Sequence, residues 1–306
     1  MITNKLDVKE RKTCRVCNSK MLTPLYSIGE QYVNNFIEKD EITKCVKAPL
    51  EMVMCGNCSL LQLKHTAPQE LLYARYYWYK SGVTKTMRNA LRDITSSVEK
   101  IFNLKEGDVV LDIGSNDGTL LRSYSMPGLI KVGVEPADNL VEEGRQGLDH
   151  HIHDFWNFNA YNEVVHKKAK IITAIGMFYD MEDPNQFISD SEKVLQKDGI
   201  FIAQLMCLKN MLDSNDVGNI CHEHLEYYSF NSLEYLFNKN GLEIFDVEIN
   251  NINGGSYRVF AKKIGAIVKK RKDAEKRIQD VQRSEVGLDN KNTHLDFYNR
   301  LEKNKN

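Results

Sequence analysis

The chain has 306 residues, 42% hydrophobic and 27% charged, with 41 Lys and Arg against 42 Asp and Glu. That length suits two domains, or one domain with appendages, and a formal net charge of −1 excludes a protein that lives on phosphate backbones. The start, MITNKLDVKERK, lacks a signal peptide's apolar core, and the longest apolar run, around Gly199 to Leu208, is too short to span a bilayer. A cytoplasmic protein with neither a nucleic-acid nor a membrane partner is expected.

Residues 1–72 come first and are marked by cysteine. Seven cysteines are an odd count, and four of them group, Cys14 with Cys17 and Cys55 with Cys58. Cys45, Cys207 and Cys221 stand apart. In a reducing compartment such groups read as metal ligands before disulfides. Two CxxC turns supply four thiolates for a tetrahedral zinc with no open position, hence a structural site. The segment reads as short and turn-rich, and it needs the metal because its core is small.

Residues 73–264 begin with an aromatic cluster, Tyr73, Tyr76, Tyr77, Trp78 and Tyr79. Met87, Leu91, Ile94, Val98 and Ile101 then recur at helical spacing between Thr84 and Leu104. From Asp108 the pattern alternates strand and helix. Strand runs are Val109–Ile113, Leu129–Val134, Ile171–Ile175 and Gly199–Leu205, with a helix such as Pro184–Gln196 between. This is the pattern of an α/β doubly wound parallel sheet. Leu242–Val247 and Ser256–Lys262, around Asn253-Gly254-Gly255, suit an antiparallel edge. Residues 265–306, rich in Lys and Glu, read as a solvated helical tail.

The most informative segment is Val109 to Leu121, a strand, a turn and a helix start. Gly114 allows a tight turn and close ligand approach, and Gly118 allows close helix packing. The spacing is not the dinucleotide GxGxxG. Asp112, just inside the strand end, repels a pyrophosphate but can attract an ammonium, which favours S-adenosylmethionine over a nicotinamide. Ser115 and Asn116 complete the loop. Glu135, before Pro136, stands about 20 residues beyond Gly114, where an acid accepts both ribose hydroxyls. Asp154, with Phe155 or Trp156, is a candidate for the adenine. Gly176 and Met177 are candidates for the border of the sulfonium.

Ile220 to Ser229 packs His222, Glu223, His224, Glu226, Tyr227 and Tyr228 into one stretch. HExH is not the zincin HExxH, whose histidines share a helical face. Histidines two apart share a face in an extended segment. An imidazole with a neighbouring carboxylate suits general base work near neutral pH.

With these motifs in order, the chain resembles the zinc-containing, S-adenosylmethionine-dependent sugar C-methyltransferases of deoxysugar pathways. The resemblance rests on the CxxC pairs followed by Val33-Asn34-Asn35-Phe36, Tyr79-Lys80-Ser81-Gly82, the Leu111 to Gly118 loop, His222-Glu223-His224-Leu225 and Asn253-Gly254-Gly255-Ser256-Tyr257-Arg258. It covers roughly residues 10 to 300. It implies a class I methyltransferase Rossmann-like sheet behind a zinc knuckle, and methylation of a carbon next to the ketone of a nucleotide-linked 4-keto-deoxysugar. His224 would take the proton, with Glu223 orienting it, and Tyr79 would face the substrate; His222 completes the candidate set. Cys221 stands where the family often has tyrosine, and Gly176 and Asp180 where it often has asparagine and histidine. Family members usually continue into a carboxy-terminal domain that helps hold the nucleotide sugar. A shortened grip, or a partner chain supplying that domain, is the corresponding expectation. Competing readings are an O- or N-methyltransferase on another small molecule, and a non-catalytic assembly module.

Overall fold

In the computed structural model, which describes residues 8–33, 46–74 and 77–304, the amino-terminal strands are longer than their sequence suggests. Asn34, Asn35, Phe36, Cys45 and Tyr76 lie outside the described residues. The strands are β1 (Lys9–Glu10), β2 (Leu22–Tyr32), β3 (Lys47–Cys55), β4 (Leu61–Leu63) and β5 (His65–Thr66). β2 and β3 form an antiparallel pair, β4 extends it, and β1 pairs with β5. Along β3, Ala48, Leu50 and Met52 are buried while Lys47, Pro49 and Glu51 are less so, the period-two pattern of a half-buried strand. This buried face is why the segment is more than a set of turns. Pro24 is tolerated because β2 is an edge strand, with register shifts on both sides of Tyr26.

α1 (Lys85–Ile101) starts at Thr84, whose hydroxyl accepts from the Met87 N–H at 3.2 Å, and buries Leu91, Ile94, Thr95 and Val98. The alternating region follows: β6 (Val109–Ile113), α2 (Thr119–Arg122), β7 (Ile130–Val134), α3 (Val141–Gly144), β8 (His150–Ile152), α4 (Phe158–Val164), β9 (Ala169–Ile175), α5 (Pro184–Val194) and β10 (Leu195–Met206). Next come α6 (Leu208–Ser214), β11 (Glu226–Tyr227), α7 (Phe230–Lys239), β12 (Leu242–Asn250) and β13 (Ser256–Lys263). The large sheet has the order β12-β13-β10-β9-β6-β7-β8. β10, β9, β6, β7 and β8 are parallel, and β13 and β12 add an antiparallel edge. The chain runs outward from β6 to β8 and returns to β9 on the other side of β6. That reversal opens a crevice at the strand carboxyl ends.

β11 leaves this sheet and pairs antiparallel with β4, so the segment after His224 supplies a strand to the cysteine-bearing sheet. The tail is not solvated as its charge suggests. α8 (Ala274–Ser284) packs on β12 and α9 (Lys291–Asn304) on β2. Phe297 is fully buried, and Tyr298 stacks on Tyr26 with ring centroids 5.0 Å apart. A few aromatic residues on one face outweigh the mean polarity of the tail. Among the described residues no helix is long and apolar enough to cross a membrane.

Candidate active site

The two CxxC turns repeat one geometry. The Asn18 N–H donates to the Cys14 carbonyl and the Ser59 N–H to the Cys55 carbonyl, both at 3.0 Å. Asn18 and Ser59 are both left-handed, at φ 60° and 59°. The four sulfurs lie within 4.8 Å of one another, with Cys17 to Cys55 at 3.4 Å and Cys14 to Cys58 at 3.5 Å. Sulfurs around a tetrahedral zinc stand about 3.8 Å apart. Burial pushes the Cys55 thiol up to about 11, and the hydrogen bond to Cys14, then burial, pushes Cys58 higher. That same bond pulls Cys14 down to about 5. Four thiolates cannot ionise together here without a cation. The donor set fits structural zinc, with no position left for substrate.

A cavity of about 280 Å³ opens at the ends of β6, β7 and β9. Of the expected residues, Gly114, Asn116, Glu135, Pro136, Asp154, Gly176, Met177 and Tyr79 line it. A smaller cavity of about 100 Å³ shares Tyr79, Ser81, Ile175 and Gly176 with the first, and also meets Tyr179, Gln204 and Asn253. The Glu135 carboxylate is buried and fixed, with Oε2 accepting from the Asn116 N–H at 2.9 Å and Oε1 from the Ala137 N–H at 3.0 Å. Burial raises its pKa, and the two backbone donors pull it back. Each oxygen keeps capacity for another donor. Phe155 is partly exposed, whereas Trp156 commits its N–H to the Phe187 carbonyl at 3.2 Å.

The Asn116 side chain serves the loop's partner segment. Its Oδ1 accepts from the Ser81 N–H and its Nδ2 donates to the Tyr79 carbonyl, each at 2.9 Å. Asp117 Oδ2 accepts from the Gly82 N–H at 2.6 Å. A Cβ at position 82 would stand 2.7 Å from Asp117 Oδ2 and Thr119 Oγ1, so the approach requires glycine. These bonds strap Tyr79 to Gly82 across the cavity.

Asp112, Ser115 and Gly118 line neither cavity. Asp112 sits one residue inside β6, takes the Thr173 hydroxyl at 2.6 Å, and is pushed up to about 8 by burial. The neighbouring strand thus takes up its Oδ1. Ser115 lies beneath the loop, where a Cβ at Gly133 would meet its Oγ at 2.7 Å. Gly118, at φ 77°, leads into α2 and brings it against Gly144, whose carbonyl lies 2.7 Å from a Cβ placed there.

His222, Glu223 and His224 also lie outside both cavity walls. Cys221 to Glu223 is bent, so the two imidazoles do not share a face; extended pairing begins only at Glu226. His222 is buried, with Nε2 2.9 Å from the Ala48 carbonyl in β3. His224 Nδ1 is 2.8 Å from the Asn219 carbonyl, and its ring meets Tyr179 edge-on at 4.5 Å between centroids. A carbonyl only accepts, so Nδ1 carries the proton and Nε2 the lone pair. Burial pulls His224 down to about 4, which keeps it neutral at pH 7. The Glu223 carbonyl accepts from the Tyr73 hydroxyl at 2.7 Å.

Asp180 closes the segment after β9 that the sequence pointed to, but it was not among the candidate site residues. It lines the larger cavity, is 6% exposed, and its Oδ1 has no hydrogen-bond partner. The available signal was an acid five residues past an apolar strand end.

Residues 84–247 match the methyltransferase domain family, and residues 14–73 match a zinc binding domain family. The chain belongs to the methyltransferase domain family. Its sheet is the class I S-adenosylmethionine-dependent methyltransferase fold, with S-adenosylmethionine as cofactor and zinc at the four sulfurs. The C-methyltransferase NovU of Streptomyces niveus is 29% identical over 252 residues, which are 81% of this chain and 60% of NovU. The chain therefore spans about 60% of the length of that curated relative. Among solved structures, magnesium protoporphyrin IX methyltransferase (ChlM) from Synechocystis PCC 6803 is 12% identical at a TM-score of 0.44, over 57% of this chain and 79% of that one. An S-adenosylmethionine-dependent methyltransferase from Clostridium acetobutylicum ATCC 824 is 15% identical at 0.46, over 57% and 92%.

Proposed function

We propose that the protein transfers a methyl group to a carbon alpha to the ketone of a nucleotide-linked keto-deoxysugar. The similarity to NovU, a C-methyltransferase, over most of this chain is the observation that carries this reading. Two adjoining cavities that meet at Gly176 support it, since a methyl donor and its acceptor need separate spaces with one shared point.

Bound in the larger cavity, S-adenosylmethionine supplies an electrophilic methyl group on a positive sulfur. In this reading Glu135 accepts from the ribose hydroxyls, Asp154 and Phe155 take the adenine, and Gly114, Gly176 and Met177 border the methionine end. His224, neutral with its lone pair on Nε2, takes the alpha proton. The Tyr179 ring stands between His224 and the smaller cavity, tethered by its hydroxyl to the Gly176 carbonyl at 3.0 Å. Its rotation gives the acceptor access to the imidazole. His222 holds the segment to β3, and Tyr79 closes the cavity under the strap.

The test is alpha-hydrogen exchange in deuterated water on thymidine diphosphate 4-keto-6-deoxyglucose, without cofactor. The wild type should exchange one sugar hydrogen, and His224→Asn should slow this by ~10²–10⁴-fold, the usual cost of a lost general base. Wild-type methylation of an oxygen or nitrogen acceptor, with no exchange on any keto sugar, would remove the reading.

A further inference from the structure

We propose that Gln204 is a substrate-binding residue whose amide NH2 donates to an oxygen of the acceptor in the smaller cavity. This rests on the reading above, in which the acceptor occupies that cavity, and adds a group that selects it.

The sheet places the residue. Gln204 lies near the carboxyl end of β10, and its backbone carbonyl accepts from the Gly176 N–H at 2.8 Å. The two cavities meet at Gly176, so Gln204 stands beside the point at which a methyl group passes between them. It is 3% exposed and lines the smaller cavity, not the larger.

The hydrogen bonds decide which way round the amide sits. Oε1 accepts from Arg258 Nε at 2.9 Å and from Asn250 Nδ2 at 3.1 Å. A guanidinium only donates. Asn250 is fixed in turn, because its Oδ1 accepts from the Ile252 N–H at 3.0 Å. Both lone pairs of Oε1 are therefore taken, and turning the amide over would set donors against donors. Nε2 donates to no described residue. Buried N–H groups without an acceptor are costly until a ligand completes them. Two hydroxyls in the same wall are already committed, Tyr179 to the Gly176 carbonyl at 3.0 Å and Ser256 to the Ile252 carbonyl at 2.8 Å. Arg258 is buried and is held by Asp93 at 2.9 Å and Glu248 at 3.6 Å. Its charge polarises the amide through Oε1, which strengthens the N–H groups on the other side as donors. Such a face suits the carbonyl or hydroxyl oxygen of a keto sugar and opposes an ammonium.

The experiment uses the full zinc-loaded chain. Gln204→Glu is the informative change, because a carboxylate still accepts from Arg258 and Asn250 but has no N–H to offer. In the deuterium exchange on thymidine diphosphate 4-keto-6-deoxyglucose, this variant should raise KM for the sugar by about tenfold, the size of one lost hydrogen bond. Its calorimetric affinity for S-adenosylmethionine should be that of the wild type. In nuclear magnetic resonance, the Gln204 NH2 signals of the wild type, identified by their loss in Gln204→Glu, should shift when dihydroxyacetone, a small keto polyol, is added. A wild-type KM in Gln204→Glu overturns the proposal and leaves Gln204 as a support for Arg258. A tenfold loss of cofactor affinity also overturns it and assigns the residue to the methyl donor. If the wild type exchanges no sugar hydrogen, the keto-sugar reading falls and the NH2 signals decide alone. Unmoved by dihydroxyacetone, they remove the donor role too; moved, they keep it for another oxygen-bearing acceptor.

Discussion

Arg15, inside the first CxxC turn, places its Nε 3.8 Å from Glu226 Oε1 in β11, and both side chains are fully buried. The guanidinium also reaches Glu182 at 3.3 Å, donates to the Leu63 carbonyl at 2.6 Å and to the Thr66 hydroxyl at 2.7 Å. Burial still pushes Glu226 well above the usual carboxylate range, with Arg15 the leading opposing influence. One buried cation therefore joins the metal turn to the strand that follows His224.

Removing one member of a buried pair costs about 3–5 kcal/mol. Arg15→Ala should lose stability of that order in denaturant unfolding. Arg15→Met, which leaves packing in place of an empty space, should lose less. Equal stability of Arg15→Ala and wild type would show that the pair and its neighbours contribute nothing net.

Structural zinc supplies on the order of 10 kcal/mol to a small site. Cys14→Ser should abolish stoichiometric zinc in metal analysis and unfold the amino-terminal sheet. Because His222 is bonded to Ala48 in that sheet, near-ultraviolet dichroism from the tyrosines around Tyr179 should change too. Well-folded wild-type protein without metal would contradict the assignment.

Glu135→Ala should weaken S-adenosylmethionine binding by roughly 1–3 kcal/mol, the range for hydrogen bonds to a charged group. The variant also strips acceptors from the Asn116 and Ala137 N–H groups, so some of the loss comes through the loop. Calorimetry giving unchanged affinity would place the ribose elsewhere.

His224 and Asp112 should shape stability against pH in opposite senses. The folded His224 refuses a proton until about pH 4, while the unfolded chain takes one near 6.5. Its contribution is present above pH 6.5 and is lost as pH falls toward 4, by at most about 3 kcal/mol. The folded Asp112 keeps its proton to about pH 8, against 3.8 unfolded. Its contribution is present at low pH and is lost as pH rises toward 8. Unfolding curves of His224→Asn and Asp112→Asn, each subtracted from wild type, should slope in these two directions. Parallel curves would mean that neither group is shifted.

The sheet was readable in sequence because each strand of β6, β7, β9 and β10 is an apolar run closed by turn residues. Glu135 and Gly114 were readable because strand ends and turn glycines fix where side chains emerge. The depth of Asp112, just inside the end of β6, was readable, but its partner Thr173 was not, because it lies on β9. That His222 and His224 face different ways was not readable, because a two-residue spacing shares a face only in extended chain, and this stretch is bent. The Tyr26–Tyr298 stack and the β4–β11 pair join distant segments, which no local pattern reports.

The β4–β11 pairing also bears on how the chain is made. All four cysteines leave the ribosome early and can take their metal early. The sheet behind them stays unfinished until Glu226 and Tyr227 emerge, after the parallel strands β6 to β10 have been made. Through that interval β4 presents an unpaired edge, the kind of template on which nascent chains pair with one another. Slow translation between β5 and β11 should therefore raise aggregation, even where zinc is plentiful and the finished protein is stable.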